Sequence, residues 1–368
     1  MNSLELISTG LVYRNPKPHL RAIHAWHPSI VSMGGNELLC TFDLGQGAES
    51  LDYRTYRAAS KDGGKTWTEP VPLFQDNAPR RATHTVRVRR LRDGNLVAMG
   101  ARFYRDNAEE GIASRKTDGI VPMDVILLRS TDGGVTWSAP VTVKTPLVGP
   151  AFEICHTMLE LSDGRWLFPT STWKGWDGDA PNGMKAIALV SRDQGRTWPE
   201  FMDVLDAWKD GVAHWEQSLI EMQDGRLLAV GWAFDMKDSK TLPTPYAISA
   251  DRKKFGARMP TGIKGQTAKI LQLKDGRIFC LYRREDKPGL WANLSKIEDE
   301  KWINLAEAPV WQGLSSAGMR GGAAASEELS VLKCGFPQMA QLPDGDVFGV
   351  FWCCEDGIYN IRWARVKI

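Results

Sequence analysis

The chain of 368 residues has no large excess of charge, no long apolar run and no sustained helical stripe of apolar side chains. Its 46 Lys and Arg nearly balance 44 Asp and Glu, and the net charge of +2 argues against a nucleic-acid or membrane partner. No run of about 18 or more apolar residues and no signal-type N-terminal run is present. We therefore expect a cytoplasmic protein, or a secreted or periplasmic one if a leader has been removed; its oligomeric state stays open.

Cysteine is also sparse, with six residues in the whole chain. They are Cys40, Cys155, Cys280, Cys334, Cys353 and Cys354, mostly in apolar, strand-like surroundings. This pattern predicts buried free thiols and not a disulfide framework. His24 and His27 form a lone pair of potential ligands without a third or fourth. We therefore predict no metal site and no cofactor.

What the sequence does contain is an octapeptide of the form Ser-x-Asp-x-Gly-x-Thr-Trp, which occurs at residues 60–67, 130–137 and 191–198. A short Asp accepts hydrogen bonds from the backbone of its own turn, and Gly adopts positive φ without strain. The closing Trp buries a large apolar face. The octapeptide thus predicts a turn between two strands that is locked to a core.

A second motif, apolar-x-Asp-Gly-x-apolar, follows each octapeptide with a step of 30 residues from glycine to glycine. Six copies occur, the first with Gly-Asn in place of Asp-Gly, and they contain Gly35, Gly94, Gly164, Gly225, Gly276 and Gly345. They lie 51 to 70 residues apart, a period in the range of propeller blades.

Short apolar runs bounded by turn residues lie between these motifs and are typical of strands. We predict an all-β protein in which residues 1–368 form one six-bladed β-propeller domain. Each blade has an inner strand A, the Asp-Gly turn, strands B and C, the octapeptide turn and an outer strand D. The last blade lacks residues for strand D, so residues 4–8 are expected to supply it.

The octapeptide resembles the Asp box, or BNR repeat, of the sialidase family, and the resemblance covers nearly the whole chain. It implies a six-bladed propeller with the Asp boxes on the face opposite the active site. Asp62, Asp132 and Asp193 would then be structural and not catalytic. Because this scaffold also carries other carbohydrate chemistries and binding modules, the function has to be argued from the site.

The candidate site lies where the A strands begin, eight to eleven positions before each repeat glycine. Four of the six histidines fall in this register, which favours acid/base chemistry on the axis. We predict His84, His156 and Glu216 as catalytic residues, with Asp43 where the resemblance places the acid. The alternative is that each histidine only satisfies a strand end.

Other residues near strand ends are predicted to bind an acidic sugar or oligosaccharide, because rings stack on a pyranose and guanidinium groups grip a carboxylate. They are Trp26, His27, Arg102, Glu153, Trp173, His214, Gln266, Tyr282, Arg283 and Arg320. The Phe/Tyr-Arg-Ile-Pro motif of sialidases is matched only by residues 13–16, a dozen positions early, and Trp26 takes the place of its Arg. Either Arg14 or Arg21 reaches back into the site, or the arginine triad is incomplete and the substrate is another sugar.

Three functions are compatible with these patterns. The first choice is a sialidase-like exo-glycosidase that hydrolyses a terminal acidic sugar. The second is a lyase in which His or Tyr removes a proton from a uronate. The third is a sugar-binding propeller without catalysis, for which a cluster of His and Glu on the axis would be unexpected.

Overall fold

The computed structural model describes residues 3–147, 149, 151–154, 156–284, 286–313 and 331–368. Within these residues the chain forms 26 β-strands and a single 3₁₀ turn, Trp208–Asp210. The strands make six antiparallel sheets, and the sheets are arranged as the blades of a propeller. The prediction of a six-bladed all-β propeller is confirmed.

The first three blades follow one another along the chain. Blade 1 contains β2 (His24–Gly34), β3 (Glu37–Gly45), β4 (Arg54–Ser60) and β5 (Val71–Pro72). Blade 2 contains β6 (Ala82–Arg90), β7 (Leu96–Tyr104), β8 (Met123–Ser130) and β9 (Val141–Thr142). Blade 3 contains β10 (Ala151–Glu153) and β11 (Leu159–Glu160), which both pair with β12 (Trp166–Trp173), then β13 (Ala186–Ser191) and β14 (Glu200–Leu205).

The other three blades complete the ring. Blade 4 contains β15 (Val212–Glu221), β16 (Leu227–Asp235), β17 (Lys240–Leu242), β18 (Pro245–Ser249) and β19 (Met259–Pro260). Blade 5 contains β20 (Gln266–Gln272), β21 (Ile278–Arg284), β22 (Gly289–Glu298) and β23 (Lys301–Trp311). Blade 6 contains β24 (Cys334–Gln341), β25 (Val347–Glu355), β26 (Ile358–Lys367) and the N-terminal strand β1 (Glu5–Tyr13).

Strand β1 closes the ring by pairing antiparallel with β26, from Glu5 opposite Lys367 to Tyr13 opposite Ile361. The strand is longer than the predicted range of residues 4–8 and ends at Tyr13. Tyr13 then stacks on Phe42 of blade 1, with ring centroids 5.6 Å apart. The N-terminal strand therefore joins the first and last blades.

The Asp boxes form turns of one geometry. In the first, Ser60 Oγ donates to Asp62 Oδ1 at 2.8 Å, and the Thr66 N–H donates to the same oxygen at 2.9 Å. The Trp67 indole N–H donates to the Gly64 carbonyl at 3.0 Å. The boxes at 130–137 and 191–198 repeat these contacts. The first box also touches the A–B turn of its blade, because the Gly63 N–H donates to Asn36 O at 2.9 Å, so both turns lie on one face.

The apolar core lies between neighbouring blades. One cluster joins blades 2 and 3 through side chains such as Leu127, Phe168 and Trp198, all buried. The five described cysteines are free thiols, and Cys354 alone among them is not fully buried. Cys155 lies outside the described residues. The described chain includes no helix long and apolar enough to span a bilayer.

Candidate active site

Four inner strands carry a β-bulge near their beginning, where pairing with strand B slips. At each bulge one non-glycine residue has a left-handed φ: His27 (47°), Glu216 (47°), Thr267 (52°) and Phe336 (50°). Each such residue costs on the order of 1–3 kcal/mol. Because a bulge redirects a side chain, their shared position at the axis indicates a functional site.

A cavity of about 270 Å³ lies at this end of the axis and is named here the upper cavity. His27, Glu216 and Phe336 from the bulges line it. Its aromatic wall consists of Trp173, Trp215, Trp232, Phe234 and Trp352, and the Phe336 ring lies at its floor. The long B–C loop of blade 2 contributes Ile112, Ala113, Asp118 and Ile120 to the lining. The Trp173 indole N–H holds this loop by donating to Asp118 O at 2.8 Å.

The polar lining of the upper cavity is mostly acidic. Its charged side chains among the described residues are the carboxylates Glu49, Asp118, Glu153 and Glu216 and one guanidinium, Arg283. The Glu216 N–H donates to Glu153 Oε2 at 3.2 Å, which holds the strained backbone of Glu216. Glu216 Oε2 is buried and accepts no hydrogen bond from a described residue. Such an atom needs a partner, and a bound ligand would provide one.

Arg283 is fixed at one side of the cavity. Its Nε–H and Nη2–H donate to Gln266 Oε1 at 2.9 and 2.6 Å, and Nη1–H donates to Cys334 O at 3.1 Å. The guanidinium also lies over the Trp232 ring, 5.6 Å from its centroid. These contacts hold a single planar cation against the aromatic wall.

His27 is connected to a buried carboxylate through a tyrosine. Its Nδ1 lies 2.6 Å from Tyr53 Oη, which donates to Asp43 Oδ2 at 2.9 Å. Asp43 is fully buried and also accepts from Thr55, Thr85 and Arg87. Burial, and then the Arg87 guanidinium, lower the pKa of His27 well below its usual value, so the imidazole is neutral near pH 7.

Phe336 forms the floor of the upper cavity. Arg87 and Lys269 lie against its ring at 4.8 and 5.3 Å from the centroid, and Lys269 Nζ donates to Glu216 O and Gln217 O. Lys269 also lines a second cavity of about 440 Å³, the lower cavity, around the other ends of the inner strands. The two cavities share no lining residue.

Four predicted polar residues lie away from the upper cavity. Asp43 is surrounded by its hydrogen-bond donors and is connected to the cavity only through Tyr53 and His27.

His84 is buried against Phe74, with ring centroids 4.2 Å apart, and burial lowers its pKa to about 3. His156 lines the lower cavity. His214 is buried beside Arg258, and burial lowers its pKa to about 4. The geometry does not bring these side chains together, because strand pleat and bulges turn equivalent positions to different sides.

The predicted arginines do not form a triad in the described residues. Arg14 follows the outer strand β1 and pairs with Asp356 at 2.9 Å, and Arg21 is exposed. Arg102 is held bidentately by Asp76 at 2.9 and 2.6 Å. Arg320 lies outside the described residues.

The remaining predicted residues, the catalytic candidate Glu216 and the other binding residues, divide into two groups. His27, Glu153, Trp173, Glu216 and Arg283 line the upper cavity. Trp26 packs between Tyr53 and Tyr359, Gln266 holds Arg283, and the Tyr282 hydroxyl bonds to Glu307 outside the cavity. Trp26 and Gln266 thus contact residues of the site without lining it.

The sequence-based prediction missed much of the aromatic wall and the support of His27. Trp232, Phe234 and Trp352 lie in the last four residues of B strands, just before the B–C loops in which binding residues were predicted. Tyr53 belongs to neither of the two repeat motifs. Trp215 directly precedes Glu216, so the same register signal could have found it.

The site is therefore an aromatic, acid-lined cavity on the axis of a six-bladed propeller. The model of the family described as BNR repeat-like domain matches residues 36–348. The chain belongs to this family, and the resemblance found in the sequence is confirmed.

Solved structures show the same fold. A protein of unknown function from Dyadobacter fermentans DSM 18053 is 20% identical, with a TM-score of 0.74 and coverage of 99% of both chains. The intramolecular trans-sialidase from Ruminococcus gnavus is 13% identical, with a TM-score of 0.65 and 94% coverage of both chains. Trypanosoma rangeli sialidase, solved with sialic acid, is 13% identical with a TM-score of 0.64; the match covers 93% of this chain and 54% of that one.

No group of three or more His, Cys, Asp or Glu side chains suited to a metal ion occurs in the described part of the chain.

Proposed function

We propose that this protein is an exo-acting glycoside hydrolase that binds a terminal sugar in the upper cavity. The observation that carries the proposal is Glu216, whose carboxylate is held by a strained bulge in a cavity walled by aromatic rings. Aromatic faces stack on sugar rings, and a carboxyl group in such a place can protonate a glycosidic oxygen.

The size of the upper cavity supports recognition of a chain end. Its volume of about 270 Å³ lies below the roughly 300–1,000 Å³ typical of pockets for drug-sized ligands. The floor formed by Phe336, Arg87 and Lys269 blocks passage along the axis. A single sugar ring fits this space better than a continuous chain.

The charge of the wall favours a neutral sugar over the acidic sugar expected from the sequence. Besides the Glu216 carboxyl, which acts here in its protonated form, three carboxylates and one guanidinium line the cavity among the described residues. A sugar carboxylate would gain one cationic partner, Arg283, and would be repelled by the acidic groups. A neutral pyranose would donate its hydroxyl protons to those same carboxylates.

The test is a panel of oligosaccharides that differ only in their terminal sugar: neutral hexose, N-acetylhexosamine, sialic acid or uronate. Mass spectrometry of the products should show addition of water and release of a neutral monosaccharide. Release of sialic acid alone would contradict the charge argument. Binding of sugars without any product would indicate a non-catalytic propeller.

Replacing Glu216 by Gln should lower kcat by about 10²–10⁴-fold because it removes a positioned proton donor. Glu221→Gln is the matched control on the same strand, β15. Glu221 accepts from Ser162 near the lower cavity, and glutamine occupies its equivalent in blades 5 and 6, at Gln272 and Gln341. Equal kcat in both variants and the wild type would remove Glu216 from the reaction.

A lyase is the second candidate, and the neutral His27 imidazole in the upper cavity favours it. Elimination would leave an unsaturated product that absorbs in the near ultraviolet, without added water. The same panel therefore separates the two reactions.

A further inference from the structure

The hydrogen bonds around His27 fix which of its nitrogens carries the proton. Both oxygens of Asp43 accept: Oδ1 from the Thr55 hydroxyl at 2.6 Å, and Oδ2 from Thr85 and Tyr53 at 2.6 and 2.9 Å. The Tyr53 hydroxyl proton is therefore committed to Asp43. The 2.6 Å contact between Tyr53 Oη and His27 Nδ1 then requires Nδ1 to donate.

The other ring nitrogen, Nε2, is left with a lone pair. His27 lines the upper cavity, its side chain is 20% exposed, and no described residue bonds to Nε2. The Phe336 ring meets the imidazole edge to face, with centroids 5.1 Å apart. The backbone of His27 is also strained, because its φ is positive. His27 thus has Nδ1 bonded to Tyr53 and Nε2 without a described partner at the cavity.

We propose that His27 is the general base of this enzyme and that Tyr53 and Asp43 position it, a proposal that rests on the proposed hydrolase function. His27 Nε2 takes a proton from water, and the water oxygen bonds to the anomeric carbon. The bond from that carbon to the glycosidic oxygen breaks, and this oxygen takes the proton of the Glu216 carboxyl. Since water attacks directly, the released sugar has inverted anomeric configuration.

The charged groups around His27 set the expected pH dependence. Asp43 and Tyr53 lie behind it, Arg87 approaches from blade 2, and Glu49, Asp118, Glu153, Glu216 and Arg283 share its cavity. Burial and Arg87 lower the pKa of His27 well below its ordinary value. The imidazole is then unprotonated at neutral pH, and the acid limb that His27 gives to the kcat profile lies well below the ordinary pKa of histidine.

The first experiment needs no substrate. Nuclear magnetic resonance of protein carrying ¹⁵N-labelled histidine reports the tautomer of each ring, and the His27 signals are identified by their loss in His27→Gln. We expect the Nδ1–H tautomer in the wild type and a mixture of tautomers in Tyr53→Phe. A wild-type Nε2–H tautomer would overturn the proposal.

The second experiment uses a sugar that the wild type hydrolyses. His27→Gln should lower kcat by about 10²-fold or more and abolish the acid limb of the pH profile, whereas Tyr53→Phe should lower kcat less and leave KM unchanged. His24→Gln, three residues earlier on β2 and outside the cavity, should keep wild-type kcat. The anomer first released should be inverted.

The outcomes separate the two proposals. If the wild type releases sugar but His27→Gln keeps wild-type kcat, or if the anomeric configuration is retained, His27 is not the base although the hydrolase function stands. If the wild type releases no sugar from any substrate, the hydrolase proposal fails before any variant is measured, and the role of His27 in it fails too.

Discussion

At the residue scale, histidines in one sequence register have different surroundings. His27 lines the upper cavity at a bulge, whereas both ring nitrogens of His156 are occupied, Nδ1 by the Thr157 carbonyl at 2.7 Å and Nε2 by Ser218 Oγ at 3.2 Å. Burial first, then Lys269, lower the pKa of His156 to about 3. A satisfied, neutral histidine of this kind packs blades together and is not available for proton transfer.

His84 provides a test of this distinction. Because it is 1% exposed and packs on Phe74 outside both cavities, His84→Ala should destabilise the protein by about 1–3 kcal/mol. Turnover per folded molecule should be unchanged. Denaturant unfolding and kcat at matched folded concentration measure the two effects. A 100-fold loss of kcat with unchanged unfolding would place His84 in the reaction and contradict the assignment of the site.

At the scale of the element, a repeated contact joins neighbouring blades at the lower face. The side chain four positions before a repeat glycine accepts from a backbone N–H in the preceding blade. The acceptors are Glu160, Glu221, Gln272 and Gln341, at 2.7, 2.7, 2.7 and 3.1 Å. In blade 2 this position is Arg90, which instead donates to Ser32 O at 3.3 Å. The Asp-Gly motif thus belongs to the contacts between blades as well as to the turn.

The Asp boxes should make stability sensitive to acid. Hydrogen bonds from Thr66, Thr136 and Thr197 lower the pKa of Asp62, Asp132 and Asp193 to about 2. A carboxylate whose folded pKa is depressed stabilises the fold above its ordinary pKa, and this contribution disappears as the pH falls through about 2. The melting temperature should therefore drop between about pH 4 and pH 2.

Asp193→Asn isolates this effect, because it removes the charge and keeps one acceptor oxygen. Its melting temperature should lie below that of the wild type at pH 7, and the gap should narrow between about pH 4 and pH 2. Asp177→Asn, in an exposed loop, controls for the loss of one negative charge. A gap that stays constant down to pH 2 would show that the box carboxylate does not contribute through its charge.

At the scale of the whole molecule, the ring depends on its N-terminal strand. β1 covers the edge of β26, and Thr9 Oγ1 donates to Trp363 O at 2.7 Å. Gly10 lies so close to Trp363 that a Cβ would approach the indole to 2.7 Å. Closure therefore relies on both backbone pairing and close contact.

Deleting residues 1–13 should expose the β26 edge, lower the melting temperature markedly and promote association through the open strand. Gly10→Leu is the milder variant, since it keeps the strand and only forces the Trp363 ring to move. Calorimetry and light scattering measure both effects. Unchanged melting of the truncated protein would show that the ring does not need this strand.

Local sequence patterns were sufficient to predict the repeat and the fold. The octapeptides and Asp-Gly turns are local: their residues bond within one turn, so spacing alone revealed six blades and the closing strand. The spacing from the repeat glycines also placed His27, Glu153 and Glu216 near the starts of inner strands. This was possible because the register along a single strand depends only on nearby residues.

Which of these side chains share a cavity depends instead on contacts between blades. Bulges and strand pleat turned His27 and Glu216 towards the axis and left His84 and His214 elsewhere. Asp43 and Arg87 meet across a blade boundary, 44 residues apart in sequence. The acidic, aromatic character of the wall also arises from several blades together. Such contacts depend on how blades pack, and no local pattern in the chain encodes them.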